Sequence, residues 1–179
     1  MNGYQIIKAI EYIPEARGLF LGCYTNNTFP DYFKTLNNGF FIANTQSDVN
    51  TFGHWIMFWW SNDRIWFWDS FSFRPEDYGG AISSFYNSFQ GQKILAIKHA
   101  IQSDKSYVCG AYCIYFAFKM CRNRFKDLTN TFGRNRERND QIVTRFFENL
   151  VGIKLECRTL YCPMAMFNQR CKYFCRCEH

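Results

Sequence analysis

The sequence has no apolar run approaching the ~20 residues that a membrane-spanning helix needs. Its longest candidates, Trp55–Trp60 and Ala111–Phe118, have the length of core elements. A secretory signal is missing as well, because Ile6–Ile10 is short and interrupted by Lys8. Repeats, low-complexity tracts and Pro/Ser-rich linkers are absent, which argues against several units on flexible connections. The nine cysteines are an odd number without a secretory signal, which argues against a complete disulfide framework. Together these absences predict one domain over residues 1–179, with reduced thiols, no membrane partner and a cytoplasmic or nuclear setting. A monomer is expected.

What the chain does have is material for a core. Hydrophobic residues make up 47% and aromatics 20%, with 20 Phe and 5 Trp, far too apolar for a disordered chain. The net charge of +6 is concentrated between Lys119 and Arg138. Seven basic residues there (Lys119, Arg122, Arg124, Lys126, Arg134, Arg136 and Arg138) face only Asp127 and Glu137, which leaves +5 in one segment. Such a segment suits a phosphate backbone or another polyanion, and equally a solvated surface loop.

Periodicity places the elements. Ile6, Ile7, Ile10 and Ile13 predict a helix over about Tyr4–Ile13, ended by Pro14. Asn37-Asn38-Gly39 is a turn signal before a strand at Phe40–Asn44. His54–Trp60 and Ile65–Phe71, rich in aromatic and branched residues, flank the polar Ser61-Asn62-Asp63-Arg64 and predict a hairpin. Glu76–Phe89 reads as a loop passing into a helix, and Lys93–His99 as a short strand. Cys113, Phe116, Ala117 and Met120 recur at helical steps and predict a helix from near Cys109 to about Arg122. Asn139 or Asp140 would cap a further helix to Leu150, ended by Gly152. The mixture predicts an α+β fold, with helices packed on a mixed, mainly antiparallel sheet.

The hairpin carries a geometric consequence. If its turn is even-numbered and centred between Asn62 and Asp63, His54 sits opposite Phe71 and Asp69 opposite Ile56. With side chains alternating at period two, His54 and Asp69 then project from one face as diagonal neighbours, ~7–8 Å apart at the backbone. A carboxylate held against imidazole fixes its tautomer and supports the imidazolium, and such a pair can activate a thiol. Cys109 is the thiol that opens a predicted helix, where free N–H groups favour thiolate, and Gly110 after it leaves room beside the backbone. Gln102, seven residues earlier, can offer a side-chain amide to a developing oxyanion. Taken singly, each residue also fits a plain structural role: a strand His that only hydrogen-bonds, a packed Cys, an Asp that ends a strand.

These residues sit in a recognisable order. Gly53-His54-Trp55, Phe67-Trp68-Asp69-Ser70-Phe71-Ser72-Phe73, Gln102 and Cys109-Gly110-Ala111-Tyr112-Cys113 resemble the adenovirus-type cysteine endopeptidases (adenains). The match extends to Phe20-Leu21-Gly22-Cys23-Tyr24, Phe29-Pro30 and Ile42-Ala43-Asn44-Thr45, so it covers roughly the first 120 residues. The resemblance implies a papain-like/adenain-like cysteine protease fold with His54 as base, Asp69 as orienting acid, Gln102 as oxyanion donor and Cys109 as nucleophile. Asp69 stands where the adenoviral enzymes typically carry Glu. The wider clan, which includes SUMO-specific proteases, shares the His, Asp, Gln, Cys order but typically places its Gln one residue nearer the Cys.

The resemblance also implies substrates and regulators: viral or virus-like precursor polypeptides cut near Gly, host nucleus or cytoplasm, and packaging in the virion. Its cofactors, not required for the chemistry itself, would be DNA and an activating peptide. Arg122, Arg124, Lys126, Arg134, Arg136 and Arg138 are the candidate DNA contacts. The viral peptide of that family is disulfide-linked upstream of the Gln, yet no cysteine occurs between Cys23 and Cys109, so the stretch around Phe89–Lys93 lacks the anchor. A ubiquitin-like-protein protease, or a non-catalytic DNA-binding virion protein on the same fold, are the alternatives. The tail, Cys157, Cys162, Cys171, Cys175, Cys177 and His179, holds enough soft ligands for zinc but not a paired C-x2-C spacing, so free or crosslinked thiols are the default and no metal is assigned.

Overall fold

The computed structural model describes residues 1–27, 29–47, 53–61, 64–89 and 93–152. The cysteine-rich tail and the hairpin residues Asn62 and Asp63 lie outside them, as does most of the stretch around Phe89–Lys93. Five strands form one sheet in chain order: β1 (Phe20–Thr25), β2 (Asn38–Asn44), β3 (Trp55–Ser61), β4 (Arg64–Trp68) and β5 (Lys93–Ala96). The two central pairings, β2–β3 and β3–β4, are antiparallel, and the two edge pairings are parallel. Helices α1 (Gly3–Ile10), α2 (Gly80–Asn87), α3 (Cys109–Cys121), α4 (Phe125–Thr131) and α5 (Arg136–Val151) complete the expected α+β fold.

The central strands are apolar at nearly every position because both faces of the sheet are covered. Phe40, Ile42, Trp55, Met57, Trp59 and Trp68 pack with Ile6, Ala9 and Ile10 of α1 and the buried residues of α3. The alternate residues Phe41, Ala43, Ile56, Phe58, Trp60, Ile65 and Phe67 pack with Phe33 and with Ile82 and Phe85 of α2. Phe33, Phe41, Phe58 and Phe85 meet at centroid separations of 5.0 to 6.4 Å, the spacing at which edge-to-face and tilted rings attract. Two aromatic cores therefore grip one sheet, and the ends of its central strands are held firmly.

Several boundaries differ from the sequence reading. Helix α1 ends at Ile10, and Ile13 is buried after a turn; its start is fixed by a capping box between Asn2 and Gln5. Helix α5 starts four or five residues earlier than expected, capped by Asn135, so Asn139 and Asp140 are interior helix residues rather than caps. Gly152 does end it, in the left-handed conformation at φ 70°. Strand β1 and helix α4 had no counterpart in the sequence reading. Among the described residues no helix is long and apolar enough to cross a membrane.

Candidate active site

The hairpin register is the one an even-numbered turn requires: Met57 faces Trp68 and Ser61 faces Arg64. His54 lies one residue before β3 and Asp69 one residue after β4, at the same end of the sheet. Their side chains meet, with His54 Nε2 2.5 Å from Asp69 Oδ1. The expected diagonal pair is therefore formed, just beyond the ladder instead of within it. A Cβ at Gly53 would lie 1.8 Å from Asn44 Oδ1, so only glycine lets the chain approach β2 this closely before His54.

Asp69 is almost fully buried and all its acceptor sites are engaged. Oδ1 also accepts from Phe71 N–H at 2.8 Å; Oδ2 accepts from Phe73 N–H at 3.0 Å and from the Tyr78 hydroxyl at 2.6 Å. The chain after β4 wraps round its own carboxylate, with Ser72 at φ 60° making the turn. A carboxylate held from four directions cannot rotate away from the imidazole. The Phe71 ring covers His54 at a centroid distance of 4.7 Å and shields the pair from water. Tyr78 and Phe71 were not given roles from sequence; Tyr78 arrives through a short 3-10 turn, Pro75–Tyr78, that no local pattern connects to Asp69.

With Nε2 committed to Asp69, Nδ1 is the corner left for a thiol; it is buried and closes no hydrogen bond with the described residues. Cys109, the first residue of α3, is the thiol that interacts with the ring. Burial opposes charge on His54, but the hydrogen bond to Asp69 and the interaction with the Cys109 thiol, with the charges of both, outweigh it and push the imidazole up to about 9. Burial likewise opposes the Cys109 thiolate and is outweighed by His54 and by the Trp55 N–H, which hold the thiol below its ordinary range. Each partner shifts so as to favour thiolate and imidazolium together. Val108, which precedes α3, supplies no side-chain cap, so the first N–H groups of the helix are not consumed by one.

Gln102 is buried against Ser70, the residue after Asp69, on a segment whose Ile101 and Gln102 N–H groups both donate to the Ser70 carbonyl, at 2.9 and 3.1 Å. Asn139 and Asp140 of α5 hold the same segment. Asn139 Nδ2 donates to the Ile101 carbonyl at 3.0 Å, and Asp140 Oδ2 accepts from Ser103 N–H at 3.2 Å. A cap-forming pair of residues by sequence is in fact a buried brace. Gly110 also differs from expectation: the space it leaves is taken by Met1 and Ile6, since a Cβ there would meet Met1 Sδ at 2.9 Å.

Two of the candidate DNA contacts are engaged in ion pairs. Arg122 pairs with Glu15 at 2.8 Å and lies over the Phe118 ring; Arg124 pairs with Asp127 at 2.5 Å. Lys126 is exposed on α4, and Arg134, Arg136 and Arg138 are exposed at the start of α5.

No protein-family model and no curated protein sequence matches the chain. Among solved structures, two of the Chlamydia trachomatis effector protein ChlaDUB1 are similar at 14% identity. One gives a TM-score of 0.48 over 83% of this chain and 71% of that one; the other gives 0.44 over 83% and 76%. Neither likeness bears on the chemistry of His54, Asp69, Gln102 and Cys109, which rests on their own geometry.

Proposed function

We propose that this chain is a cysteine endopeptidase. The observation that carries the reading is the His54 imidazole fixed at 2.5 Å from a fully engaged Asp69, with its remaining nitrogen left to a Cys109 thiol of lowered pKa. The Cys109 thiolate attacks the scissile carbonyl carbon, forming a C–S bond while the carbonyl electron pair moves to oxygen. The Gln102 amide and the N–H of Cys109 receive that oxyanion. The oxyanion collapses, the C–N bond breaks, and the imidazolium proton of His54 passes to the leaving amine. Water, deprotonated by His54, then hydrolyses the thioester and returns the thiol.

The sequence resemblance directs this activity at viral or virus-like precursor proteins cut near Gly. The exposed Arg134, Arg136 and Arg138 would provide the contact for a DNA cofactor. The test is cleavage of Gly-containing precursor-type peptides and of ubiquitin-like fusions by wild type and Cys109→Ala, with and without DNA. Turnover by wild type alone is expected, faster on precursor peptides. Preference for the fusions would reassign the substrate to ubiquitin-like proteins, and equal background turnover in every arm would refute a protease.

A further inference from the structure

Beside Asp69 stands a residue that the mechanism above does not use. Ser70 is as deeply buried as Gln102, at 1% exposure each, and its hydroxyl donates to Gln102 Oε1 at 2.6 Å. On the other side of the same amide, Gln102 Nε2 donates to the Ser106 carbonyl at 2.9 Å. A carbonyl can face only the NH2 end of an amide and a hydroxyl proton only its oxygen, so the two contacts agree on one orientation. With one Nε2 hydrogen given to Ser106, the second has no hydrogen-bond acceptor among the described residues.

We propose that Ser70 is a positioning residue for the oxyanion donor, holding the Gln102 amide with its NH2 toward the substrate; the inference rests on the protease reading. Without the hydroxyl, Oε1 would be a buried acceptor with no donor, and the Ser106 carbonyl alone would hold the amide, leaving it freer to tilt away from the orientation the oxyanion needs. The hydroxyl also withdraws electron density from Oε1, which makes the Nε2 hydrogen a better donor. Asp69 and Ser70 thus serve the two halves of the site from adjacent positions: the side chain of one orients the base, and the hydroxyl and carbonyl of the other orient the oxyanion donor. Phe71 N–H and the Ser70 carbonyl bind Asp69 and the Gln102 segment respectively, so one short turn fixes both.

The experiment compares Ser70→Ala with wild type by three readouts. Peptide turnover is expected to lose about 10-fold in kcat with KM little changed, a fraction of the roughly 10²–10³-fold that removal of an oxyanion donor costs. Affinity for a peptide aldehyde, whose carbonyl oxygen takes the oxyanion position once sulfur adds to its carbon, is expected to fall in parallel. Alkylation of Cys109 by iodoacetamide, in which an S–C bond forms and iodide leaves, needs no oxyanion donor and is expected to keep its wild-type rate. In a Gln102→Ala background the Ser70→Ala change is expected to have no further effect on kcat. An equal loss in both backgrounds, or an alkylation rate that falls with kcat, would overturn the inference and make Ser70 a merely structural residue. Absence of turnover by wild type itself would instead sink the protease reading, and this inference with it.

Discussion

Cys109 and Cys113 lie one turn apart on the same face of α3, both buried and both reduced. Their thiols are driven in opposite directions. Cys113 is pushed well above the ordinary thiol range, by burial first and then by the nearby Cys109 and Asp69. Cys109 suffers burial too, yet His54 and the Trp55 N–H bring it below that range. The difference teaches that neither burial nor helix position favours the thiolate in this chain. An imidazole held by Asp69 does, and the hairpin delivers it to the first turn of α3 and not to the second.

The largest effect expected is the loss of that distinction. Cys109→Ala should lower kcat/KM by about 10⁴-fold or more, as removal of a nucleophile generally does, while Cys113→Ala should change it less than about 3-fold. Comparable losses from the two substitutions would show that the contrast in their surroundings has no catalytic meaning. Mass spectrometry after brief iodoacetamide treatment of the folded protein sharpens the same point, with the label expected on Cys109 and absent from Cys113.

Next comes the source of the imidazolium. Asp69→Asn keeps the shape but removes the charge, and kcat should fall by roughly 10²–10⁴-fold. The sign of the pH effect follows from the groups around His54. The thiolate–imidazolium form is present above the lowered Cys109 pKa and is lost as pH rises through about 9, where His54 deprotonates. Without the Asp69 charge, burial pulls the His54 value down toward the ordinary 6.5 or so, so the alkaline limb of the rate profile moves to lower pH. An alkaline limb that stays near 9 in Asp69→Asn would show that Cys109 alone supports the ring.

Much of this half of the site is legible in the sequence because it depends on local pattern. Alternation in the two hairpin strands and the parity of a polar turn place His54 and Asp69 together, and the apolar steps after Cys109 mark the start of α3. Helix α4 is hidden because Phe125–Thr131 sits inside the basic run, whose composition describes charge and not conformation. Strand β1 is hidden because its six residues are uniformly half-buried and its pairing with β2 shifts register between Phe20 and Cys23, leaving no alternation to read. Asn139 and Asp140 mislead for a chemical reason. The side chains that favour helix caps are also those that can satisfy a distant backbone, and only the approach of residues 101–103 shows which use applies.

The smallest expected effect separates holding Asp69 from charging His54. Tyr78→Phe removes the 2.6 Å hydrogen bond to Asp69 Oδ2 and leaves the ring, which packs edge-on to Phe73 at 6.2 Å. Three of the four contacts to the carboxylate survive, so kcat should fall only about 3- to 10-fold, the scale of one hydrogen bond to a charged group. The pH profile should move oppositely to that of Asp69→Asn. The phenol proton draws on the charge of Asp69; once it is gone more of that charge acts on the imidazolium, and the alkaline limb should sit at or above about 9. A limb displaced downward would mean that Asp69 had swung away from His54. Tyr78 would then be what keeps the pair together, and the backbone wrap of Phe71 and Phe73 would be insufficient by itself.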